Sequence, residues 1–151
     1  MIILDTNILS ALMQIRPSRE VIDWLDQQSA ESIWITSITV FEIRYGLSLL
    51  EPGQRRVALE QRFSDIVTTD LANRVLVFDV RSSDQAARLA AERKARGRPV
   101  DMRDTFIAGI ALAHRAALAT RNVAHFQDLP IQVIDPWRAA DDPISRPSGS
   151  R

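Results

Sequence analysis

Met1-Ile2-Ile3-Leu4-Asp5-Thr6-Asn7 is the stretch on which the fold turns. Four apolar residues stop abruptly at an acid, a hydroxyl and an amide, side chains that end a strand and cap the helix after it. Strand, turn and helix follow in that order. Further on, Pro17-Ser18-Arg19-Glu20 opens a second helix with Val21, Trp24 and Leu25 at helical spacing, and Ile33-Trp34-Ile35-Thr36 reads as strand two. Thr36 or Ser37 caps a helix running to Leu50. Glu51-Pro52-Gly53 breaks it, and Gln54 to about Ile66 forms another helix carrying Val57, Leu59 and Phe63.

Val75-Leu76-Val77-Phe78 is the third strand expected, followed by an Ala-rich helix capped by Ser82, Ser83 or Asp84 and ending near Gly97 and Pro99. A helix from about Met102 to Ala116 comes next. Leu118-Ala119-Thr120 and Ile131-Gln132-Val133-Ile134 are strands four and five, separated by a brief helical piece around Val123 to Phe126. Strands alternating with helices predict an α/β fold: a central parallel five-stranded sheet covered on both faces, three layers in all. From residue 139 the chain turns to Asp141-Asp142-Pro143 and Pro147-Ser148-Gly149-Ser150, which cannot bury much, so one domain over 1–138 and a flexible tail over 139–151 are expected.

The chain has 151 residues, 46% hydrophobic and 25% charged, the size and composition of one folded domain. Nineteen Lys and Arg balance nineteen Asp and Glu, so no overall field draws it to nucleic acid or anionic membrane, and any polyanion site must be local. With no cysteine, a disulfide framework, a thiolate zinc site and a cysteine nucleophile are excluded. Neither a basic leader nor an apolar run of membrane length is visible, which makes the cytoplasm the expected location, with no membrane partner.

Two acids stand on the wrong side of their helices. At about 100° per residue, Glu42 lies within about 60° of Ile38, Tyr45, Gly46 and Leu49, and Asp104 within about 60° of Val100, Ile107, Ala108 and Ala111, with Asp101 on the same side. Burying an unpaired carboxylate costs several kcal/mol, so each must lie exposed at a helix end, pair with a cation, be protonated or bind a metal. Pairing of Glu42 with an arginine such as Arg44, and a dipole-favoured place near the helix start for Asp104, are the plain structural explanations. Asp5 and Asn122, each beyond the carboxyl end of a strand, change the balance, because ligands of open parallel sheets bind there at the topological switch point. Both also suit helix capping. If strands one and four flank the switch point, Asp5, Glu42 and Asp104 surround one cavity. Their repulsion then calls for a divalent cation, and an all-oxygen set in a chain with two histidines points to Mg²⁺ or Mn²⁺.

Four blocks carry a family resemblance: Ile2 to Asn7 (IILDTN), Ser37 to Gly46 (SITVFEIRYG), Asp101 to Gly109 (DMRDTFIAG) and Ala119 to Phe126 (ATRNVAHF). In this order and spacing the chain resembles PIN-domain proteins, the VapC and FitB-like toxin ribonucleases of bacterial type II toxin–antitoxin pairs. Val133-Ile134-Asp135-Pro136-Trp137 resembles the end of the FitB-like branch. The resemblance implies a metal-dependent ribonuclease leaving 5′-phosphate and 3′-hydroxyl ends, with Asp5, Glu42 and Asp104 as its acidic residues, Asp5 and Asp104 on the metal. Asn122 falls where the family often has Asp; an amide oxygen can ligate a cation but adds no charge, which disfavours a second metal. Thr6, Asn7 and Thr120 match polar positions that orient a carboxylate or a water, and each suits capping as well. Also implied are a homodimer and a small cognate antitoxin of the VapB or FitA kind, which lies across the acidic cavity and alone contacts operator DNA.

For RNA phosphates, the stretch 88–103 offers Arg88, Arg93, Lys94, Arg96, Arg98 and Arg103 against Glu92 and Asp101, and reads equally as a solvated helix face. Arg44 and Arg121 stand nearer the acids as substrate contacts or structural counter-ions. His114 and His125 receive no role, and Trp24, Trp34 and Trp137 are assigned to the core. Three alternatives stand beside the ribonuclease. A haloacid-dehalogenase-like phosphatase wants a second acid where this chain has Asn7, and a lysine near the site. A non-catalytic PIN-like binding module would not use the acids, and a phosphoacceptor receiver would use Asp79.

Overall fold

The computed structural model describes residues 1–138, and the tail expected over 139–151 lies outside them. Strand β1 (Ile2–Leu4) leads into α1 (Thr6–Leu12), then α2 (Arg19–Asp26), a 3₁₀ turn at Ala30–Ser32, and β2 (Ile33–Thr36). Helices α3 (Ser37–Ser48) and α4 (Gln54–Asp65) follow, α4 continuing into a π-helical turn, Ile66–Asp70. Next come β3 (Val75–Leu76), α5 (Val80–Ala95), α6 (Met102–His114), β4 (Ala117–Ala119), a 3₁₀ turn at Val123–His125 and β5 (Val133–Ile134). The five strands form one parallel sheet in the order β3-β2-β1-β4-β5.

Alternation along β1 divides the interior. Leu4 enters a core built with Ile8, Leu9, Val21, Ile43 and Phe63 from α1 to α4, while Ile3 enters one built with Leu89, Ile107, Ile110 and Phe126 on the other face. Both faces are therefore covered, as a parallel sheet requires. Helices α5 and α6 cross closely at Gly109. A Cβ there would stand 2.5 Å from the Ser82 carbonyl oxygen and 2.7 Å from the Ala86 Cβ, a gap that hydrogen alone fills.

Two local expectations are corrected and one element is new. Helix α5 starts at Val80, ahead of Ser82, because Asp79 is its cap: its Oδ1 accepts from the Ser82 N–H at 2.9 Å and the Ser82 hydroxyl at 2.8 Å. That accounts for Asp79 structurally, and those bonds hold its carboxyl below the ordinary range. Strand β3 is only two residues, since Val77 is already exposed and Asp79 begins the cap. The π-helical turn after α4 had no distinct signal in the sequence.

The order β3-β2-β1-β4-β5 reverses direction between β1 and β4. Successive strands leave β1 one way to β2 and β3, and the chain returns to β1's other edge as β4. In open α/β sheets the ligand crevice lies beyond the carboxyl ends of the strands at such a reversal, here β1 and β4, where Asp5 and Thr120 stand.

Candidate active site

Asp5 is the floor of this crevice, 4% exposed. As cap of α1 it accepts the Thr6 N–H on Oδ1 at 2.8 Å. Its Oδ2 accepts the Thr120 hydroxyl at 2.7 Å and the Asn7 amide at 3.2 Å. Burial pushes the Asp5 carboxyl up; the Thr120 and Thr6 bonds pull it back, and the Asp104 charge adds to the rise. Asn7 ties the two strand ends together, since its Nδ2 also reaches the Thr120 oxygen and its Oδ1 accepts the Arg121 N–H, both at 3.2 Å. Thr6, Asn7 and Thr120 thus form a shell around one carboxylate, while the cap of α1 is Asp5 itself and neither Thr6 nor Asn7.

Glu42 approaches from α3, which Thr36 caps through the Thr39 N–H. Its side chain is 17% exposed, with the Arg103 Nη1 at 3.7 Å from Oε2. Burial raises the Glu42 carboxyl above its ordinary range; Arg103 and the Thr6 hydroxyl oppose this, and Asp5 and Asp104 reinforce it. Glu42 thus feels both other acids, and Asp5 feels Asp104. The Thr6 hydroxyl is buried and closes no well-formed hydrogen bond, although it lies close enough to Glu42 to stabilise its charge. Asp104 sits in the first turn of α6, and Asp101 beside it is the helix cap, accepting the Asp104 N–H at 3.0 Å.

His125 bonds Asp104 directly, Nδ1 to Oδ2 at 2.7 Å. It is the site residue to which the sequence assigns no role, and Arg103, expected only as one of the cations for RNA phosphates, is the partner of Glu42. Arg103 is adjacent to Asp104 on the acidic block, and His125 lies three residues past Asn122, one turn of the 3₁₀ segment away. Asn122 is exposed, and its backbone N–H, not its side chain, bonds the Thr120 oxygen at 3.0 Å. Its amide caps nothing, so the capping alternative is not realised in the side chain.

Among the described residues neither Arg44 nor Arg121 forms an ion pair with Asp5, Glu42 or Asp104. Arg44 points away from the acids into a cleft lined by Leu47, Ser48, Glu60 and Phe63, so it is not the partner of Glu42. Residues two apart on a helix project to nearly opposite sides. Arg121 lies over the Trp137 ring, 5.0 Å from its centroid, with the chain beside it fixed to Asn7.

Among the described residues no three acidic or imidazole side chains form a ready-made cation cage. The donor set nonetheless fits a hard dication: a buried carboxylate already oriented by two hydroxyl-bearing residues, two more acids, and an unsatisfied Thr6 hydroxyl. Mg²⁺ characteristically uses one or two carboxylates and keeps waters elsewhere, so it needs no complete protein cage.

The model of the PIN domain family matches residues 2–131 of this chain. The chain belongs to the PIN-domain family. Among relatives of this PIN-domain protein, VapC ribonuclease Y4jK of Sinorhizobium fredii is 39% identical over 93% of this chain and all of its own. Toxin FitB of Neisseria gonorrhoeae is 32% identical over 91% of this chain and 99% of its own. The PIN fold superposes with a TM-score of 0.82 on FitAcB from Neisseria gonorrhoeae and on FitAB bound to an IR36 DNA fragment, each 32% identical. Both alignments cover 91% of this chain, with 99% and 96% of those chains.

Proposed function

We propose that this PIN-domain protein is the toxin of a type II toxin–antitoxin system, a divalent-metal-dependent ribonuclease. The observation that carries the proposal is the buried Asp5 carboxylate, held by Thr6, Asn7 and Thr120 at the switch point and electrostatically coupled to Glu42 and Asp104. Relatives named ribonuclease and toxin, and a related FitAB complex seated on DNA, support the activity and a FitA- or VapB-like antitoxin as partner, with operator DNA contacted through it. The proposed functional domain is 1–138, acting in the cytoplasm as a homodimer. Among the described residues no helix is long and apolar enough to cross a membrane.

Asp5 and Asp104 would hold the cation, and Asn122 at the rim would offer a neutral oxygen to it or to a water. Bound there, Mg²⁺ or Mn²⁺ supplies Lewis-acid polarisation of a phosphate oxygen and acidifies water. Glu42, its carboxyl raised by burial, takes the proton of the attacking water; a base with a raised pKa transfers protons more effectively near neutrality. Arg103 restrains that rise, and Arg121, held over the Trp137 ring, is the proposed contact for RNA phosphate. No covalent enzyme intermediate is required.

Purified, antitoxin-free protein is incubated with single-stranded and structured RNA, with and without Mg²⁺ or Mn²⁺. Cleavage is expected only with the metal and is lost in Asp5→Asn and Asp104→Asn. Activity that persists in EDTA or in Asp5→Asn would remove the proposal, and RNA binding without cleavage would favour the binding module. The phosphatase alternative loses ground, because Asn7 is engaged with Asp5 and Thr120, and Lys94 is exposed on α5.

A further inference from the structure

Arg93 belongs to the basic stretch, yet it is 5% exposed. Its Nε donates to Asp128 Oδ2 at 2.9 Å and its Nη2 to Asp128 Oδ1 at 2.8 Å, a two-pronged ion pair; Arg98 adds a contact to Oδ2 at 3.2 Å. The same Nη2 donates to the backbone carbonyl of His125 at 2.8 Å. Phe126, next in the chain, is fully buried in the core under α5 and α6. His125 is therefore pinned by its carbonyl and by its neighbour, while its imidazole projects outward, 57% exposed, onto the Asp104 carboxylate of α6.

We infer that the Arg93–Asp128 pair is a positioning device for the active site, fixing the segment after β4 so that the His125 imidazole holds one oxygen of Asp104. Stability alone does not account for the pair, since apolar residues of similar volume commonly replace a buried ion pair without loss. What the guanidinium fork adds is direction: one planar group satisfies both carboxylate oxygens and a carbonyl in a single geometry. The imidazole occupies Oδ2 of Asp104, which restricts rotation of the carboxylate and leaves Oδ1 to the crevice. Partners that orient a ligating carboxylate commonly change activity by about 10–100-fold when removed. Arg93 and Asp128 act through His125 and touch no substrate. The inference rests on the ribonuclease reading for its catalytic consequence, although the positioning itself does not.

The test is the double variant Arg93→Met/Asp128→Leu, which removes both buried charges together, compared with His125→Ala and with the triple variant. Each is measured for urea unfolding, for kcat and KM on RNA with Mg²⁺, and, where His125 is present, for the order of its ring by nitrogen-15 NMR. The expected result is a double variant that unfolds near the wild-type midpoint, shows a mobile His125 ring, and loses about tenfold in kcat with KM little changed. His125→Ala is expected to show the same fall, and the triple variant no further one. A double variant with wild-type kcat and an ordered ring overturns the inference, as does a triple variant whose loss is the product of the other two. If the wild type cleaves no RNA, the ribonuclease reading fails, and the ring measurement still decides whether the pair positions His125.

Discussion

Two buried carboxylates, Asp5 and Asp128, are treated in opposite ways. Asp128 meets Arg93 through both oxygens and Arg98 through one; the Arg93 hydrogen bond, with the nearby positive charges, outweighs burial and holds its carboxyl below the ordinary range. Asp5 receives a hydroxyl, an amide and a backbone N–H but no cation, and its carboxyl is pushed up. Geometry is well defined in both regions. Only in the second is the negative charge left without a positive counterpart, which separates a site awaiting a ligand from a finished structural joint.

The largest effect expected breaks the finished joint. Arg93→Met alone strands Asp128 with Arg98 and should cost about 3–5 kcal/mol of stability, read as a lowered urea midpoint. A loss below about 1 kcal/mol would mean that Asp128 is adequately served by Arg98 and water. Glu42→Gln attacks the other region and should leave the metal-free protein at least as stable near neutral pH while lowering kcat by about a hundredfold or more. Equal losses of stability and rate would recast Glu42 as a packing residue.

The pH dependence of stability sharpens the comparison. Asp5 and Glu42 have raised carboxyls, so the metal-free fold binds more protons than the unfolded chain, and stability falls as pH climbs from the ordinary carboxylate range through their folded values. Asp128 does the reverse: its contribution is present above the ordinary range and is lost as pH falls through its lowered value. Unfolding of the metal-free protein should therefore show a maximum in mild acid. Mg²⁺ at a hundred times its Kd should restore about 2.7 kcal/mol on the neutral side. Asp5→Asn should raise metal-free stability near neutral pH and weaken the Mg²⁺ response. The smallest effect expected is that of Thr120→Val, which removes the hydroxyl from Asp5 and should weaken Mg²⁺ binding about tenfold, measured by calorimetry.

Much of the open site was legible because its residues violate local patterns. An apolar strand ending in Asp5, and acids on the inward arcs of α3 and α6, advertise themselves without any tertiary information. The closed joint violates nothing: Arg93 sits in a helix of charged residues beside Lys94, and its partner lies 35 positions away. For the same reason His125 went unassigned, since only the packing of Phe126 and the Arg93 bond decide where its ring goes. Arg44 was misplaced for the opposite reason: nearness to Glu42 in sequence set it on the other side of its helix. The parallel sheet followed from strand and helix alternation, whereas the order of its strands is set by which edges of β1 pair with β2 and β4, pairings that no short window contains.

Because β1 lies at the centre of the sheet, the oldest part of the nascent chain must wait for one of the youngest. Asp5 acquires its Thr120 bond across 115 positions, and β1 gains its second neighbour only when Ala117–Ala119 emerges. During synthesis Asp5, Glu42 and Asp104 therefore all emerge before the strand that completes the centre of the sheet. A product terminated before Ala117 would lack both the second neighbour of β1 and the hydroxyl that holds Asp5.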